Sequence, residues 1–236
     1  MPSHVYPGVR ALFPDTLTIL ATYRCNAACE QCCFESNPKI SGRLSLDTIK
    51  AHIDQAADAF PALQIVVFSG GECFLLKEDL YAAIRHATSK NLLTRCVTNA
   101  FWGKTATHAK KVVEELVAAG LTELNISTGL DHQKWVPFSS VVTAAKILVD
   151  AGIRTLITIE RDSETSRCYT TAIENRTVTT LLKEHPDRFY IQTNSWMPFH
   201  DDAVPRARIE DRTQLKQGCP QLFHNTVVTP HNKLSA

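Results

Sequence analysis

Residues 17–32, LTILATYRCNAACEQC, pass from an apolar run directly into three closely spaced cysteines. Residues 17–23 combine apolar and β-branched side chains, which is typical of a buried strand. Cys25, Cys29 and Cys32 follow in the loop after that strand. Three thiolates in one loop can bind three irons of a four-iron cluster and leave the fourth iron without a protein ligand. The alternative is a zinc site completed by Cys33 or a histidine, although the second CxxC pair that is usual in zinc sites does not occur in this chain.

The next predicted strand, residues 63–69, leads into the polar motif Ser69-Gly70-Gly71-Glu72. Paired glycines after a strand can simply form a turn, but they also expose backbone N–H and C=O groups to a close ligand. The Glu72 carboxylate can accept hydrogen bonds from an ammonium group. Cys73 comes next and is a candidate catalytic thiol, for which a small packing side chain is the favoured alternative.

Strand-like runs alternate with amphipathic helical patterns along the chain. Six strands are predicted at residues 17–23, 63–69, 92–98, 121–127, 153–160 and 189–194. Apolar residues at helical spacing lie between them, at 46–60, 80–87, 112–117, 141–148 and 178–184. Ser45 is placed to cap the first of these helices, and Gly120 and Gly152 are expected to end the third and the fourth. Alternating strands and helices require a parallel sheet with crossover helices, wound either as a flat doubly wound sheet or as a curved, incomplete barrel. Both architectures place ligands at the carboxyl ends of the strands, where the two motifs lie.

Composition restricts the class of protein further. The chain has 236 residues, 44% of them hydrophobic, and a net charge of +1, which suits one large domain with its own core. A net charge so close to zero argues against a nucleic-acid or membrane-surface binder. No apolar run approaches the roughly 18–20 residues that span a bilayer. The N-terminal residues do not have the pattern of a signal peptide, and we expect a cytoplasmic protein. Four of the eight cysteines fall within residues 25–33, which favours a metal over disulfides.

The two motifs together, CxxxCxxC after the first strand and Gly-Gly-Glu after the second, resemble the radical S-adenosylmethionine (radical SAM) superfamily over roughly residues 17–200. The resemblance implies an α/β fold, namely a partial (β/α)6 TIM-like barrel with parallel strands. It also implies a [4Fe–4S] cluster on Cys25, Cys29 and Cys32, with S-adenosylmethionine on the open iron. The implied reaction cleaves S-adenosylmethionine to a 5′-deoxyadenosyl radical that abstracts hydrogen from a substrate, with an electron donor such as a flavodoxin or ferredoxin.

The resemblance assigns further positions to cofactor binding. The positions assigned to S-adenosylmethionine are Gly70, Gly71, Glu72, Thr98, Asn99, Ser127, Arg161 and Gln192. The Gly-Gly-Glu motif is expected to hold the methionine amino group, Ser127 the ribose and Arg161 the carboxylate, while the other three line the same rim. The family commonly has an aromatic residue for adenine where this chain has Gln31, and a proline where it has Cys73. Phe34 is a candidate to replace that aromatic residue.

The segment that begins at Cys219 resembles the opening of a cysteine-rich, SPASM-like extension. Enzymes with such extensions often act on peptides or carrier proteins, so we predict a peptide or protein substrate. The alternatives are radical SAM chemistry on a small molecule and a non-catalytic metal-binding module. In such extensions, the spacing after the first cysteine would put a turn at Asn232 and the next cysteine after residue 236, so we expect an incomplete extension at 201–236. The rest of the chain is divided into a lead-in at 1–16 and a core at 17–200. A short terminal hairpin around residues 227–229 is the alternative.

Overall fold

Strands and helices alternate along the chain as the sequence predicts. The computed structural model describes residues 14–160, 167–194 and 224–235. Its strands are β1 (Thr16–Thr22), β2 (Ile65–Gly70), β3 (Leu93–Thr98), β4 (Glu123–Thr128), β5 (Arg154–Glu160), β6 (Phe189–Asn194), β7 (Asn225–Val228) and β8 (Leu234–Ser235). Its helices are α1 (Leu46–Ala59), α2 (Glu78–Ser89), α3 (Ala106–Ala119), α4 (Leu130–Gln133), α5 (Phe138–Asp150), α6 (Arg167–Glu174) and α7 (Arg176–Glu184), with 3-10 turns at Cys73–Leu76 and Phe101–Lys104. All six predicted strands are confirmed, with ends within two residues of those expected.

The strand order distinguishes the barrel from the doubly wound sheet. The order is β6-β5-β4-β3-β2-β1-β7-β8, and β1 to β6 are parallel neighbours in chain order. A doubly wound sheet reverses its order at a switch point, whereas consecutive right-handed crossovers place the helices on one face. The prediction of a partial TIM-like barrel is therefore confirmed. Within the described residues the sheet stays open, with β6 and β8 at its two edges.

Helix boundaries follow local features of the sequence. The Ser45 hydroxyl accepts a hydrogen bond from the Thr48 N–H at 3.1 Å and caps α1 as expected. Gly120 and Gly152 follow α3 and α5 and adopt the left-handed conformation, each with a φ of +85°. The periodicity does not predict α6, in which only Cys168 and Ala172 are buried. In the described part of the chain, none of the helices combines the length and the apolar character needed to cross a membrane.

The core lies between the sheet and the helices. Alternate strand residues point into it, so that Ile19, Phe68, Cys96 and Ile126 are fully buried. Cys96 is thus a small buried side chain of this core. Along β4 the buried residues alternate with half-buried ones, and Ser127 belongs to the second set. Strand β4 thus presents one face to the core and a less buried face to the other side of the sheet.

The short terminal hairpin considered for residues 227–229 is present as β7 and β8. β7 adds to β1 in parallel register, with Thr16 to Ile19 opposite Asn225 to Val228. The Thr18 hydroxyl donates to the Asn225 side-chain oxygen at 2.9 Å across this pair. Asn232, in the turn before β8, has a φ of +58°, the left-handed conformation that asparagine tolerates. The hairpin therefore extends the sheet that carries the cysteine motif, and the predicted boundary at residue 200 lies outside the described residues.

Candidate cofactor site

A cavity of about 440 Å³ lies at the carboxyl ends of the strands. Its walls come from the cysteine loop, defined here as residues 24–37, from the ends of β2 to β4 and from the loop after β4. The predicted site residues that line it are Cys25, Cys29, Cys32, Gly70, Gly71, Thr98, Asn99 and Ser127. Small-molecule sites usually measure roughly 300–1,000 Å³. The fold therefore gathers both sequence motifs around one space of suitable size for a ligand.

Backbone hydrogen bonds fold the cysteine loop back onto the end of β1. The Cys32 N–H donates to the Cys29 carbonyl at 3.3 Å, and the Cys25 N–H donates to the Asn37 carbonyl at 3.2 Å. Arg24 and Asn37 also form an isolated parallel bridge. The loop thus starts and ends at the same strand terminus, which brings its three motif thiols to one cavity.

Two of the motif thiols, Cys25 and Cys29, are buried enough to favour their protonated form. Burial raises the pKa of Cys25 to about 11 and that of Cys29 to about 12. The Cys25 sulfur also accepts hydrogen bonds from the Ala27 N–H at 3.4 Å and from the Asn99 side-chain amide at 3.8 Å. These donors favour a negatively charged sulfur, as a metal-bound thiolate is. Metal binding must therefore displace protons from these thiols, and the N–H donors around Cys25 stabilise its metal-bound thiolate.

The donor set fits an iron–sulfur cluster. Each thiolate that holds a [4Fe–4S] cluster binds a different iron, so the ligands surround a space and do not meet at one point. Cys25, Cys29 and Cys32 line a common cavity in this way. Among the described residues, no three His, Cys, Asp or Glu side chains converge closely enough to hold a single metal ion.

The paired glycines allow β2 to lie directly against the start of the cysteine loop. The Gly71 N–H donates to the Thr22 carbonyl at 2.7 Å, and the Glu72 N–H donates to the Arg24 carbonyl at 3.0 Å. A Cβ at Gly71 would clash with the Arg24 carbonyl, and one at Gly70 would clash with the Thr22 carbonyl. Gly70 also has a φ of +123°, which side chains rarely adopt. The glycines are needed because two backbones approach each other closely at the cavity wall.

Glu72 lies behind the cavity wall and binds its neighbours. Its carboxylate is fully buried and accepts hydrogen bonds from the Phe74 N–H at 3.1 Å and the Asn99 N–H at 2.9 Å. The Thr98 hydroxyl donates to both carboxylate oxygens, at 2.9 and 3.0 Å. Burial raises the pKa of Glu72 to about 7, although these donors act in the opposite direction. Glu72 thus positions Thr98 and Asn99, and its direct contact with a cofactor stays a prediction.

The other predicted residues lie away from the cavity or outside the described part of the chain. Gln192 is exposed on the edge strand β6 and does not line the cavity. Cys73 is fully buried, and its Sγ donates to the Val97 carbonyl at 3.3 Å. The small packing role favoured for Cys73 agrees with this burial. Arg161 and Cys219 lie outside the described residues, so the roles assigned to them stay predictions.

Two further cavity residues, His132 and Ser36, are not indicated by either motif. Burial lowers the pKa of His132 to about 4, so its imidazole is neutral near neutral pH. Ser36 is 4% exposed and follows Glu35, which has a φ of +50°. The sequence feature that could have indicated them is their position after β1 and β4, since segments at the carboxyl ends of barrel strands usually supply site residues.

An ion pair links the two loops that flank the cavity. The Lys134 ammonium lies 3.2 Å from the carboxylate of Asp131, in the short helix α4 that follows β4, and 3.4 Å from the Glu30 carboxylate in the cysteine loop. Hydrogen bonding to Asp131 raises the pKa of Lys134, which keeps the bridging cation charged. The side chain of Asp131 is almost completely buried, whereas Glu30 is exposed. The bridge therefore joins a buried anchor to the cysteine loop.

A parallel, singly wound open barrel with a thiol-lined cavity at its strand ends defines a class of cofactor-dependent α/β proteins. Residues 19–161 match the Radical SAM superfamily, which is more than half of the chain, and the chain belongs to this superfamily. Members of the superfamily use a [4Fe–4S] cluster and S-adenosylmethionine. The resemblance inferred from the two motifs is thereby confirmed.

Individual relatives and structures agree with this assignment. The chain is 26% identical over 130 residues to YydG of Bacillus subtilis (strain 168), whose name assigns it to peptide biosynthesis; the match covers 55% of this chain and 40% of that protein. The structure of anSMEcpe with bound AdoMet and a Cp18Cys peptide superposes with a TM-score of 0.54 at 19% identity, over 83% of this chain and 54% of that one. SuiB from Streptococcus suis superposes with a TM-score of 0.51 at 12% identity, over 94% and 60% of the two chains. The chain thus spans about half the length of these proteins, and the two structural matches show the fold alone.

Proposed function

We propose that the protein is a radical SAM enzyme that modifies a peptide or protein. The observation that carries this proposal is the convergence of Cys25, Cys29, Cys32 and the Gly70–Gly71 backbone on one cavity at the strand ends. With the cluster bound and reduced by one electron from a donor protein, S-adenosylmethionine would yield methionine and a 5′-deoxyadenosyl radical, and this radical would abstract a hydrogen atom from the substrate. The chain's own residues hold these groups, orient them and exclude water.

The three thiols of the CxxxCxxC motif bind the cluster in this proposal. Iron binding would displace the proton of each thiol, and the iron–sulfur bonds would offset the cost of burial that raises the pKa of Cys25 and Cys29. The Ala27 N–H and the Asn99 amide then donate to the Cys25 sulfur. Hydrogen bonds to the sulfurs of a cluster are one of the ways in which a protein sets its reduction potential. We therefore assign Asn99 a second role, in tuning the cluster.

Cofactor binding is assigned to the groups on the facing wall of the cavity. The Gly70–Gly71 backbone and the Ser127 hydroxyl offer hydrogen bonds to the two ends of S-adenosylmethionine, while Glu72 fixes the positions of Thr98 and Asn99. Phe34 lines the same cavity and stacks on Tyr23, with 5.9 Å between ring centroids. Apolar walls of this kind exclude water, which protects a reactive species from side reactions.

A peptide or protein substrate is supported by the likeness to YydG, whose name refers to peptide biosynthesis. The fold is also shared with anSMEcpe, which was crystallised with a peptide. Fold alone does not define a substrate, because one fold serves many reactions. The peptide assignment therefore rests mainly on the sequence match to YydG. An electron donor such as a flavodoxin or ferredoxin completes the proposed system.

Anaerobic turnover tests the proposal in two stages. Reconstituted and reduced protein is mixed with S-adenosylmethionine, and 5′-deoxyadenosine is measured by liquid chromatography. We then add candidate peptides, chosen as any short open reading frames found beside the gene, and follow both 5′-deoxyadenosine yield and peptide mass or retention time. Peptide-stimulated 5′-deoxyadenosine together with an altered peptide is the expected result.

The control is the protein in which Cys25, Cys29 and Cys32 are all replaced by alanine, carried through the same steps. Formation of 5′-deoxyadenosine by wild-type protein without any effect of peptides would favour a small-molecule substrate. No 5′-deoxyadenosine from a fully loaded wild-type protein would contradict the enzymatic proposal and favour a metal-binding module.

A further inference from the structure

Ser36 presents a buried hydroxyl to the cavity. The side chain lines the cavity and is only 4% exposed. Within the described ranges its Oγ has no hydrogen-bond partner. By contrast, the Thr98 hydroxyl on the same cavity wall is bonded to Glu72. Ser36 therefore has a buried polar group in this wall whose hydrogen-bonding capacity is available to a bound molecule.

The backbone places the segment of Ser36 and the paired glycines on the two sides of Arg24, at one cavity. Arg24 lies between them: its carbonyl accepts the Glu72 N–H on one side, and it bridges to Asn37 on the other. Ser36 precedes Asn37, so it sits across one strand terminus from Gly71. Glu35 supplies the turn with a φ of +50°, and its N–H donates to the Cys32 carbonyl at 2.9 Å. The loop conformation thus holds this hydroxyl at the wall shared with Gly70 and Gly71.

A buried hydroxyl without a partner destabilises a folded protein, because it has lost its hydrogen bonds to water. Such groups are uncommon, and a ligand that fills the site can supply the missing partner. A serine hydroxyl both donates and accepts, so it suits either a carboxylate or an ammonium group. We propose that the Ser36 hydroxyl binds S-adenosylmethionine, at the amino-acid end that the neighbouring glycines are assigned to hold. This inference rests on the proposed function.

The test is the affinity of the cluster-loaded protein for S-adenosylmethionine, measured by equilibrium dialysis without reductant. Ser36→Ala is compared with wild type and with Ser140→Ala, whose serine is equally buried at 4% but lies in α5. We expect Ser36→Ala to raise the dissociation constant roughly 3- to 10-fold, the effect of one hydrogen bond. The iron content should stay the same, and Ser140→Ala should bind like wild type.

Thermal unfolding without S-adenosylmethionine separates a binding role from a structural one. Removing a hydroxyl that has no partner should leave the melting temperature of Ser36→Ala unchanged or raise it, whereas a structural hydroxyl would lower it. An unchanged dissociation constant would overturn the inference, and so would a loss of stability or iron that accounts for the weaker binding. A changed cluster potential at constant affinity would also overturn it, in favour of a hydrogen bond to the cluster. If the wild-type protein binds no S-adenosylmethionine, that result would contradict the proposed function, and the proposed Ser36 contact would be wrong as well.

Discussion

The helix-facing core and the cavity end of the barrel are built from the same strands in different ways. In the core, apolar side chains such as Phe68, Leu124 and Ile126 fill the space and are fully buried. At the cavity, the backbone of Gly70 and Gly71 touches the end of β1, and the buried groups include Glu72 and Thr98. The core depends on side-chain volume, whereas the cavity depends on close backbone contact and on buried polar groups with fixed partners. Matched substitutions in the two regions should therefore have different consequences.

The largest difference is expected between the motif cysteines and the core cysteines. Replacing Cys25, Cys29 and Cys32 together by alanine should abolish the absorbance and the iron of a reconstituted cluster, because these three thiolates are its proposed ligands. Cys96→Ala in the core removes one buried heavy atom, which costs about 1 kcal/mol of unfolding free energy, and should keep the iron. Iron analysis and urea unfolding measure the two outcomes.

Cys33→Ala is the matched control within the cysteine loop, since Cys33 lines the cavity but is exposed and adjoins the motif. It should retain full iron. Loss of the cluster in Cys33→Ala to the same extent as in the triple variant would show that the ligand set is misassigned.

The second comparison uses two glycines with positive φ. Gly152→Ala meets no atoms within 4 Å, so its cost is the left-handed conformation alone, about 1–2 kcal/mol. Gly70→Ala carries the same kind of strain and also clashes with the Thr22 carbonyl, which brings the expected loss to about 2–5 kcal/mol. Chemical denaturation compares the two, and dialysis should show weaker binding of S-adenosylmethionine by Gly70→Ala alone. Equal losses in both variants would mean that the close contact between β1 and β2 has no energetic importance.

The third comparison is the pH dependence contributed by Glu72. Burial raises its pKa from 4.5 to about 7, so the folded protein binds this proton more tightly than the unfolded chain does. Its contribution to stability is therefore fully present below pH 4.5 and is lost as the pH rises to about 7, by about 3 kcal/mol in total. Glu72→Gln should lack this dependence when melting temperatures are compared across pH.

Thr98→Val sharpens the test of Glu72. It removes a hydroxyl that donates to both carboxylate oxygens, and such donors favour the charged form. The pKa of Glu72 should rise further, and the loss of stability should extend to higher pH. A wild type and a Glu72→Gln variant with identical pH profiles would show that this carboxyl does not titrate as the burial indicates.

The smallest expected difference concerns two exposed lysines. Lys146 pairs with Asp150 four residues later on α5, and such helix pairs contribute about 0.3–0.5 kcal/mol. Lys134 faces the buried Asp131 carboxylate and also reaches Glu30, so Lys134→Met should cost more, about 1 kcal/mol, than Lys146→Met. Raising the salt concentration should reduce both effects. The idea of a bridge to the cysteine loop would be wrong if Lys146→Met were the more damaging change.

Local patterns were sufficient to predict most of the barrel. The strand periodicity, the Ser45 cap and the glycines after α3 and α5 act within a few residues, and the structure confirms them. The two motifs likewise lie at strand ends, which is why their convergence in a parallel barrel could be predicted. In contrast, β7 pairs with β1 although the side chains of Thr18 and Asn225, which are hydrogen-bonded across the two strands, lie 207 residues apart, and no local pattern reports such a contact.

The cavity wall was predicted less completely than the fold. Residue type alone did not show that Glu72 is buried behind Thr98 and Asn99, because an acidic residue after a strand is usually expected to be solvated. Ser36 is even less visible in sequence, since its position depends on the turn at Glu35 and on the return of the loop to β1. Such placements arise from tertiary contacts, and periodicity carries no information about them.

The most direct test of the account is the iron content and low-temperature electron paramagnetic resonance spectrum of the anaerobically reconstituted, reduced protein, recorded with and without S-adenosylmethionine. We predict about four irons per chain in a cluster held by three thiolates, with one iron open to a ligand. S-adenosylmethionine should change the spectrum of the wild-type protein, because the cofactor is proposed to bind in the cavity lined by Cys25, Cys29 and Cys32. Stoichiometric zinc without iron after the same treatment, or an iron spectrum that S-adenosylmethionine leaves unchanged, would contradict the account.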